Sequence, residues 1–265
     1  MLDAFSEDYI PATIVGREEE KQAIAFYLKD VLHGRTSKIL YIHGIPGIGK
    51  TVVTRHVLNQ FENEVEEAVV VYVNCRNSSY YQCLERIYSE CFRKNSRRIS
   101  SKEILRAFTR RLHKDLILVC ALDNFDKLRD LDFFVSSFLE MRKSIPRCGL
   151  ILISTSGNNP IEILGKRLYY SIRFETIIFK PYSLDEIVEI IKSRLKEACG
   201  GVIADELALF EIASFVRNSS QNVRHAFWIV QNALEMLDNN ADKITAEIAR
   251  KAIEKEIKSG CLDSK

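Results

Sequence analysis

Between residues 17 and 179 the chain alternates short apolar runs with longer amphipathic stretches. The apolar runs are nearly continuous, a pattern typical of strands that are buried on both faces of a parallel sheet. They are Lys38–His43, Ala68–Val73, Leu116–Leu122, Leu150–Ser154 and the shorter Ile177–Phe179. Between the strands, apolar residues recur at helical spacing and predict helices at 17–33, 51–61, 80–92, 101–113 and 130–143. This alternation predicts an α/β fold, with helices covering both faces of a parallel sheet.

After residue 182 the helical spacing continues without any further strand signal. Four stretches each predict a helix, at 184–198, 205–217, 221–238 and 244–258. We therefore predict two domains, an αβα core at residues 1–182 and a small all-helical lid at residues 183–265. Trp228 shares an apolar stripe with Phe227 in the third lid helix, and we expect it to pack in the core of the lid.

Composition narrows the function classes without selecting one. The 265 residues include 38 basic and 36 acidic side chains, so the net charge of +2 does not indicate a nucleic-acid partner. The seven cysteines include no CxxC pair and no accompanying histidine cluster, which argues against a zinc site or a disulfide scaffold and predicts reduced thiols. The N-terminus lacks a secretory pattern, and no apolar run approaches the ~20 residues that span a bilayer. We expect a soluble cytosolic or nuclear protein without a membrane partner.

The strongest chemical motif is G-x-x-x-x-G-K-[ST], which lies between a predicted strand and a predicted helix. This P-loop consists of Gly44, Ile45, Pro46, Gly47, Ile48, Gly49, Lys50 and Thr51. Its glycines let backbone N–H groups approach phosphates, and the helix N-terminus adds partial positive charge. Lys50 can reach the outer phosphates, and the Thr51 hydroxyl can bind Mg²⁺. The motif predicts binding of ATP or ADP with Mg²⁺.

A second group of polar residues follows the later strands. Asp123 ends the third strand and is our candidate partner for the metal ion. Asn124 stands where many hydrolytic P-loop ATPases carry a proton-accepting Glu, which predicts slow or absent hydrolysis. Asp126 could replace that Glu, although its position two residues further places it on a loop. Thr155 and Asn158 follow the fourth strand and either orient the attacking water or form an ordinary turn.

Two basic features complete the candidates. Arg224 opens a lid helix, where a cation can lie over the phosphates or be a solvated surface residue. The stretch 93–114 carries nine basic residues against one acid, Glu103. It is either a surface for DNA or an acidic partner or a solvated helix face. Its candidate contact residues are Arg93, Lys94, Arg97, Arg98, Arg106, Arg110 and Arg111.

Shorter marks accompany the P-loop, in a fixed order along the chain. They are Tyr9-Ile-Pro, Gly16-Arg17-Glu18-Glu19-Glu20, Val73-Asn74-Cys75, Asp123, Phe179-x-Pro181-Tyr182 and Arg194-Leu195. From about residue 7 to residue 258, this pattern resembles the AAA+ replication initiators. These ATPases are related to the largest subunit of the origin recognition complex and to the cell-division-control helicase loader, and they include the archaeal initiators.

The resemblance implies an AAA+ αβα core followed by a helical lid, and a role in origin recognition or helicase loading. It implies that Arg17, Val52 and Tyr182 contribute to the nucleotide site and that Arg224 is the family's sensor-two arginine. The implied partners are other AAA+ initiator subunits, duplex DNA and the replicative helicase. The implied location is the nucleus in a eukaryote, or the cytoplasm or nucleoid in an archaeon.

The chain departs from the family pattern at several positions. Asn124 replaces the family's Glu, and Thr155 stands where the sensor-one Asn is usual. The arginine finger is expected at Ser171, with Arg167 and Arg173 on either side. Members usually continue into a winged-helix domain, which either is absent or lies outside this sequence.

Three hypotheses follow for the function. The chain is an active ATPase switch, a scaffold that binds ATP or ADP without hydrolysing it, or a signalling ATPase of the stress or immunity type.

Overall fold

The computed structural model describes residues 2–6, 9–93, 99–111, 116–155, 160–219, 222–237 and 242–260. The chain divides into two compact units. The sheet unit comprises residues 18–44 and 53–179, and the lid unit comprises residues 1–17, 45–52 and 180–265. The domain boundary between residues 182 and 183 stays a prediction.

Among its described residues, the sheet unit contains five parallel strands. They are β1 (Lys38–His43), β2 (Ala68–Asn74), β3 (Ile117–Asp123), β4 (Arg147–Ser154) and β5 (Arg173–Ile178), in the order β2-β3-β4-β1-β5. All seven residues of β3 are buried, as expected of a strand with neighbours on both sides and layers on both faces. The predicted α/β fold with a parallel sheet is confirmed.

The edge strand β5 begins four residues before its predicted start. Exposed and half-buried polar residues interrupt its apolar pattern, and Lys38 of β1 pairs with Glu175 of β5 at 3.1 Å. An edge strand has only one neighbour, so its sequence is less apolar than that of a central strand. The prediction therefore detected only its last, apolar residues.

In the part of the chain that the structure describes, six helices connect or flank the strands. They are α1 (Glu18–Leu32), α2 (Lys50–Glu64), α3 (Tyr80–Phe92), α4 (Ser101–Arg111), α5 (Leu131–Ser144) and α6 (Pro160–Ser171). The first five agree with the predicted helices to within a few residues. The sequence pattern did not indicate α6, in which Gly165 adopts φ 71° and ψ 156° and so interrupts the helical spacing.

The cysteines of the described residues are free thiols. Cys75, Cys83, Cys120 and Cys148 are buried in the apolar core of the sheet unit. Burial also raises the pKa of the Cys91 thiol to about 12, so this side chain remains protonated at neutral pH.

The lid unit contains the four predicted helices. They are α7 (Leu184–Cys199), α8 (Glu206–Ser219), α9 (Val223–Glu235) and α10 (Ala246–Gly260). Ser183 and Glu186 form a capping box at the start of α7, which satisfies N–H groups that a helix leaves unpaired. The prediction for Trp228 was wrong. Its side chain is 39% exposed and lies against His225, because the buried stripe of α9 runs through Ala226, Ile229 and Val230 instead.

No helix among the described residues is long and apolar enough to cross a membrane.

Candidate functional site

The P-loop adopts the backbone conformation that its glycines predict. Gly47 and Gly49 have φ angles of 74° and 89°, in the region that side-chain-bearing residues rarely enter. Helix α2 begins directly afterwards at Lys50. The Lys50 side chain is buried at 4% exposure, and its Nζ donates a hydrogen bond to the carbonyl of Ile45 at 2.8 Å. The loop is therefore a compact turn closed by its own lysine.

Arg17 fastens the P-loop to the segment that precedes α7. Its Nη2 donates hydrogen bonds to the carbonyl oxygens of Ile48 at 3.3 Å and Lys180 at 2.5 Å. Its guanidinium lies over the Tyr182 ring, with Cζ 3.8 Å from the ring centroid. The Tyr182 hydroxyl in turn is so close to Gly49 that a Cβ built there would lie 2.5 Å from it. The structure thus brings Arg17 and Tyr182 to the P-loop, where the resemblance places them.

The N-terminus of α9 lies against the same loop. The Val223 N–H donates a hydrogen bond to the Gly47 carbonyl at 3.2 Å. Asn222 caps the helix, since its Oδ1 accepts from the Arg224 N–H at 3.0 Å. A Cβ built on Gly47 would lie 1.6 Å from that Oδ1. The helix turn that carries Arg224 is therefore seated on the P-loop backbone, whereas phosphate contact by Arg224 stays a prediction.

In the sheet unit, Asp123 lies at the carboxyl edge of the sheet with both oxygens engaged. Its side chain is buried, and the residue is 2% exposed. The Tyr72 hydroxyl donates to Oδ2 at 2.5 Å, and the Asn124 N–H donates to Oδ1 at 2.8 Å. Sequence reasoning missed Tyr72, and the only signal available was a tyrosine in an otherwise aliphatic strand.

Asn124 cannot act as the proton acceptor that the family's Glu supplies. Its backbone is left-handed, with φ 54°, and its side-chain Nδ2 donates to Asn74 Oδ1 at 3.3 Å. An uncharged amide held by another amide has no basic site near neutral pH. Slow or absent hydrolysis stays a prediction.

A second buried polar group lies beside β4. Asp126 lies in a short 3-10 helix, Phe125–Lys127, rather than on the predicted loop, and its Oδ1 accepts from the Ser154 hydroxyl at 3.3 Å. Ser154 also hydrogen-bonds the hydroxyl of Tyr41. Burial of Tyr41 raises its pKa. Thr155 follows at the end of β4 and is half-buried. Asn158 lies outside the described residues.

The predicted basic surface is described only in part. Arg93 and Arg106 are exposed, at the end of α3 and on α4. Arg110 and Arg111 are on α4 but their side chains lie outside the described part, as do residues Lys94, Arg97 and Arg98 entirely. At the predicted finger, Arg173 is exposed at the start of β5, and the side chains of Ser171 and Arg167 are outside the described part. Both surfaces stay predictions.

Comparison with known proteins identifies the class. The sequence model of the AAA ATPase domain matches residues 13–153, more than half of the 265 residues. The chain belongs to this family. The matched range contains the P-loop, Asp123 and Asn124.

Individual relatives sharpen this assignment. The chain is 27% identical over 256 residues to ORC1-type DNA replication protein 1 of Sulfurisphaera tokodaii, covering 92% of this chain and 64% of that protein. It is 25% identical over 252 residues to ORC1-type DNA replication protein 2 of Thermoplasma acidophilum, covering 92% and 62%. The chain thus spans slightly less than two thirds of the length of these relatives. The resemblance to replication initiators is confirmed.

Solved structures show the same fold. The Aeropyrum pernix ORC1 protein in complex with DNA superposes with a TM-score of 0.80 at 21% identity, covering 96% of this chain and 69% of that chain. Cdc6p from Pyrobaculum aerophilum superposes with a TM-score of 0.73 at 22% identity, covering 96% and 70%.

The contact between the N-terminus of α9 and the P-loop predicts that Gly47→Ala strongly lowers the free energy of unfolding. Any side chain at residue 47 has to displace Asn222 in addition to adopting a strained φ. Gly200→Ala is the matched control, because Gly200 has φ 75° and no atom within 4 Å of an added Cβ. We expect Gly200→Ala to lower the free energy of unfolding by about 1–2 kcal/mol and Gly47→Ala to lower it by clearly more, in chemical denaturation. Equal losses would contradict the close contact with Asn222.

Proposed function

We propose that this chain is an ATP-binding AAA+ module of a DNA replication initiator and acts as a nucleotide-dependent assembly switch. The observation that supports this most directly is the contact of α9 with the P-loop through Val223 and Gly47. A ligand that binds the loop changes the surroundings of the helix that carries Arg224. Such a ligand favours one conformation of the lid over another only by the difference between its affinities for the two conformations. Contact between Arg224 and the phosphates would supply that difference.

Nucleotide binding rests on groups within the lid unit. The P-loop N–H groups and the start of α2 favour an anion. The Lys50 ammonium bonds the neutral Ile45 carbonyl, for which a phosphate oxygen is a stronger, charge-assisted acceptor. Arg17 and Tyr182 hold the loop in shape. We assign ATP or ADP as the ligand from this chemistry, the family and the relatives.

The donor chemistry fits Mg²⁺. Thr51 and Asp123 offer oxygen ligands, and the described residues contain no cluster of three or more His, Cys, Asp or Glu side chains that could hold a metal ion. Mg²⁺ usually takes one or two protein carboxylates together with phosphates and water. A site with a single carboxylate therefore suits Mg²⁺ better than it suits Zn²⁺ or Ca²⁺. A bound ion would neutralise phosphate charge, and Thr51 and Asp123 are the residues that we propose would hold it.

A second candidate function is a scaffold that binds ATP or ADP without turnover. The residue type at position 124 favours it, because the Asn124 amide, which donates to Asn74, has no carboxylate to accept a proton. The similarity to replication proteins supports an initiator over a stress or immunity signalling ATPase.

The partners that we propose follow from the relatives. One solved relative is an origin recognition complex of Drosophila bound to DNA, and the Aeropyrum pernix ORC1 structure also contains DNA. We therefore propose duplex DNA and further AAA+ initiator subunits as partners, with the replicative helicase as the downstream target. This role places the protein with the chromosome, in the nucleoid or the nucleus.

Nucleotide binding is tested by thermal unfolding with and without ATP. A ligand at a concentration of about 100 times its Kd stabilises the native state by about 2.7 kcal/mol. ATP should therefore raise the midpoint temperature of unfolding. We expect Lys50→Ala to abolish this rise, while Lys29→Ala, which removes an exposed lysine of α1, retains it. A full ATP-induced rise in Lys50→Ala would contradict the proposed site.

The identity of residue 124 decides between switch and scaffold. If the remaining machinery is competent, Asn124→Glu should raise ATP turnover by about a hundredfold over the slow native rate, because it restores a proton acceptor. Asn124→Gln introduces a side chain of the same length as Glu and imposes the same left-handed backbone requirement, but it has no carboxylate. This variant should therefore leave turnover unchanged. Background turnover in Asn124→Glu, measured with DNA present, would favour the scaffold.

The basic stretch is tested by the salt dependence of duplex DNA binding. Reversing Arg97, Arg98, Arg110 and Arg111 to Glu should weaken binding by about tenfold or more and flatten the dependence of affinity on salt, because phosphate contacts are lost. Reversing four exposed lysines elsewhere serves as the control: Lys29, Lys143, Lys251 and Lys258. Equal effects in the two variants would move the DNA contact away from residues 93–114.

A further inference from the structure

Tyr72 is placed by sheet register to meet the carboxylate at the end of the neighbouring strand. On β2 it lies opposite Ala121 of β3, and Asn74 lies opposite Asp123. Because side chains alternate along a strand, Tyr72 shares a face with both Ala121 and Asp123. Ala121 carries only a methyl group, so the long tyrosine can lie across it along the strand direction. The hydroxyl reaches Asp123 Oδ2 at 2.5 Å.

The hydrogen bonds from Tyr72 and Asn124 to Asp123 have different origins. The bond to Oδ1 comes from the Asn124 backbone, and every residue except proline supplies such an N–H. The bond to Oδ2 comes from a side chain, so only a residue with a donor at the tip of a long side chain can make it. A short O–H···O⁻ bond of this kind is charge-assisted and stronger than a neutral one. Together the two donors fix the rotation of the carboxylate plane.

The Tyr72 ring is itself held by a third residue. Arg55 of α2 places its Cζ 5.2 Å from the Tyr72 ring centroid, within the range of a cation–π interaction. The tyrosine is half-buried, so a ring without this contact would have more freedom to turn. Arg55, Tyr72 and Asp123 thus form a continuous chain of contacts that ends on the carboxylate.

We propose that Tyr72 is a positioning residue that orients Asp123 for coordination of a divalent cation bound with the nucleotide. The inference rests on the proposed function, in which Asp123 is the magnesium carboxylate. Groups that hydrogen-bond a ligating side chain fix its orientation, and their loss weakens metal binding without removing any ligand. A tyrosine with a purely structural role would contribute to folding stability but not to the effect of Mg²⁺ on nucleotide affinity.

The test separates nucleotide affinity from its dependence on the metal. The dissociation constant for ATP is measured by titration calorimetry on the native chain and on Tyr72→Phe, each in excess Mg²⁺ and in EDTA. We expect the native chain and Tyr72→Phe to bind ATP with the same affinity in EDTA. The increase in ATP affinity that Mg²⁺ causes, which we call the gain from Mg²⁺, should be about tenfold smaller in Tyr72→Phe. Tyr81→Phe is the matched control, since its hydroxyl donates to the Ile99 carbonyl at 2.7 Å, and it should retain the native gain.

A double-mutant comparison shows whether Tyr72 acts through Asp123. In the Asp123→Asn background, Tyr72→Phe should cause no further loss of the gain from Mg²⁺, because the carboxylate it orients is gone. Independent, additive losses would overturn the proposal, and so would a native gain in Tyr72→Phe. Thermal unfolding in EDTA shows that the variants are folded. A native chain that binds ATP but shows no gain from Mg²⁺ would overturn the magnesium role of Asp123 together with this inference, whereas a native chain that does not bind ATP would refute the proposed function itself.

Discussion

The parallel alignment of the five strands is the constraint on which the sheet unit depends. Parallel neighbours cannot be joined by tight hairpins, so each connection returns through a crossover, usually a helix, and these layers bury both faces of the sheet. The same alignment brings every strand's carboxyl end to one edge. His43, Asn74, Asp123 and Ser154 end their strands there, and Gly44, the first P-loop residue, follows directly. Polar groups that are far apart in the chain therefore become neighbours at this edge.

The lid unit uses the P-loop peptide groups in a second way. The carbonyls of Ile45, Gly47 and Ile48 accept hydrogen bonds from Lys50, Val223 and Arg17. In a loop whose N–H groups suit an anion, the carbonyls point elsewhere, and here they bind protein donors. The loop is thus a candidate phosphate site whose carbonyls also bind donors of the lid unit.

Sequence predicted the features that depend on local pattern or motif. The P-loop, the central strands, the lid helices and the place of Asp123 follow from spacing and residue type, and Arg17 and Tyr182 follow from the family resemblance. The features that it missed depend on contacts across the fold. The bond between Tyr72 and Asp123 can be found only from the register of β2 against β3. The contact of Asn222 with Gly47 can be found only from the position of α9 in the fold. Trp228 was misplaced because the apolar stripe of α9 is wider than its buried part.

The joint between α9 and the P-loop has a consequence for how such chains diverge. Its hydrogen bond runs from one backbone to another, Val223 N–H to Gly47 carbonyl, so the side chain at residue 223 is not part of it. Any amino acid except proline supplies the same donor. This hydrogen bond therefore restricts residue 223 only by excluding proline. A side chain at residue 47 is disfavoured instead, because its Cβ would have to displace the Asn222 side chain.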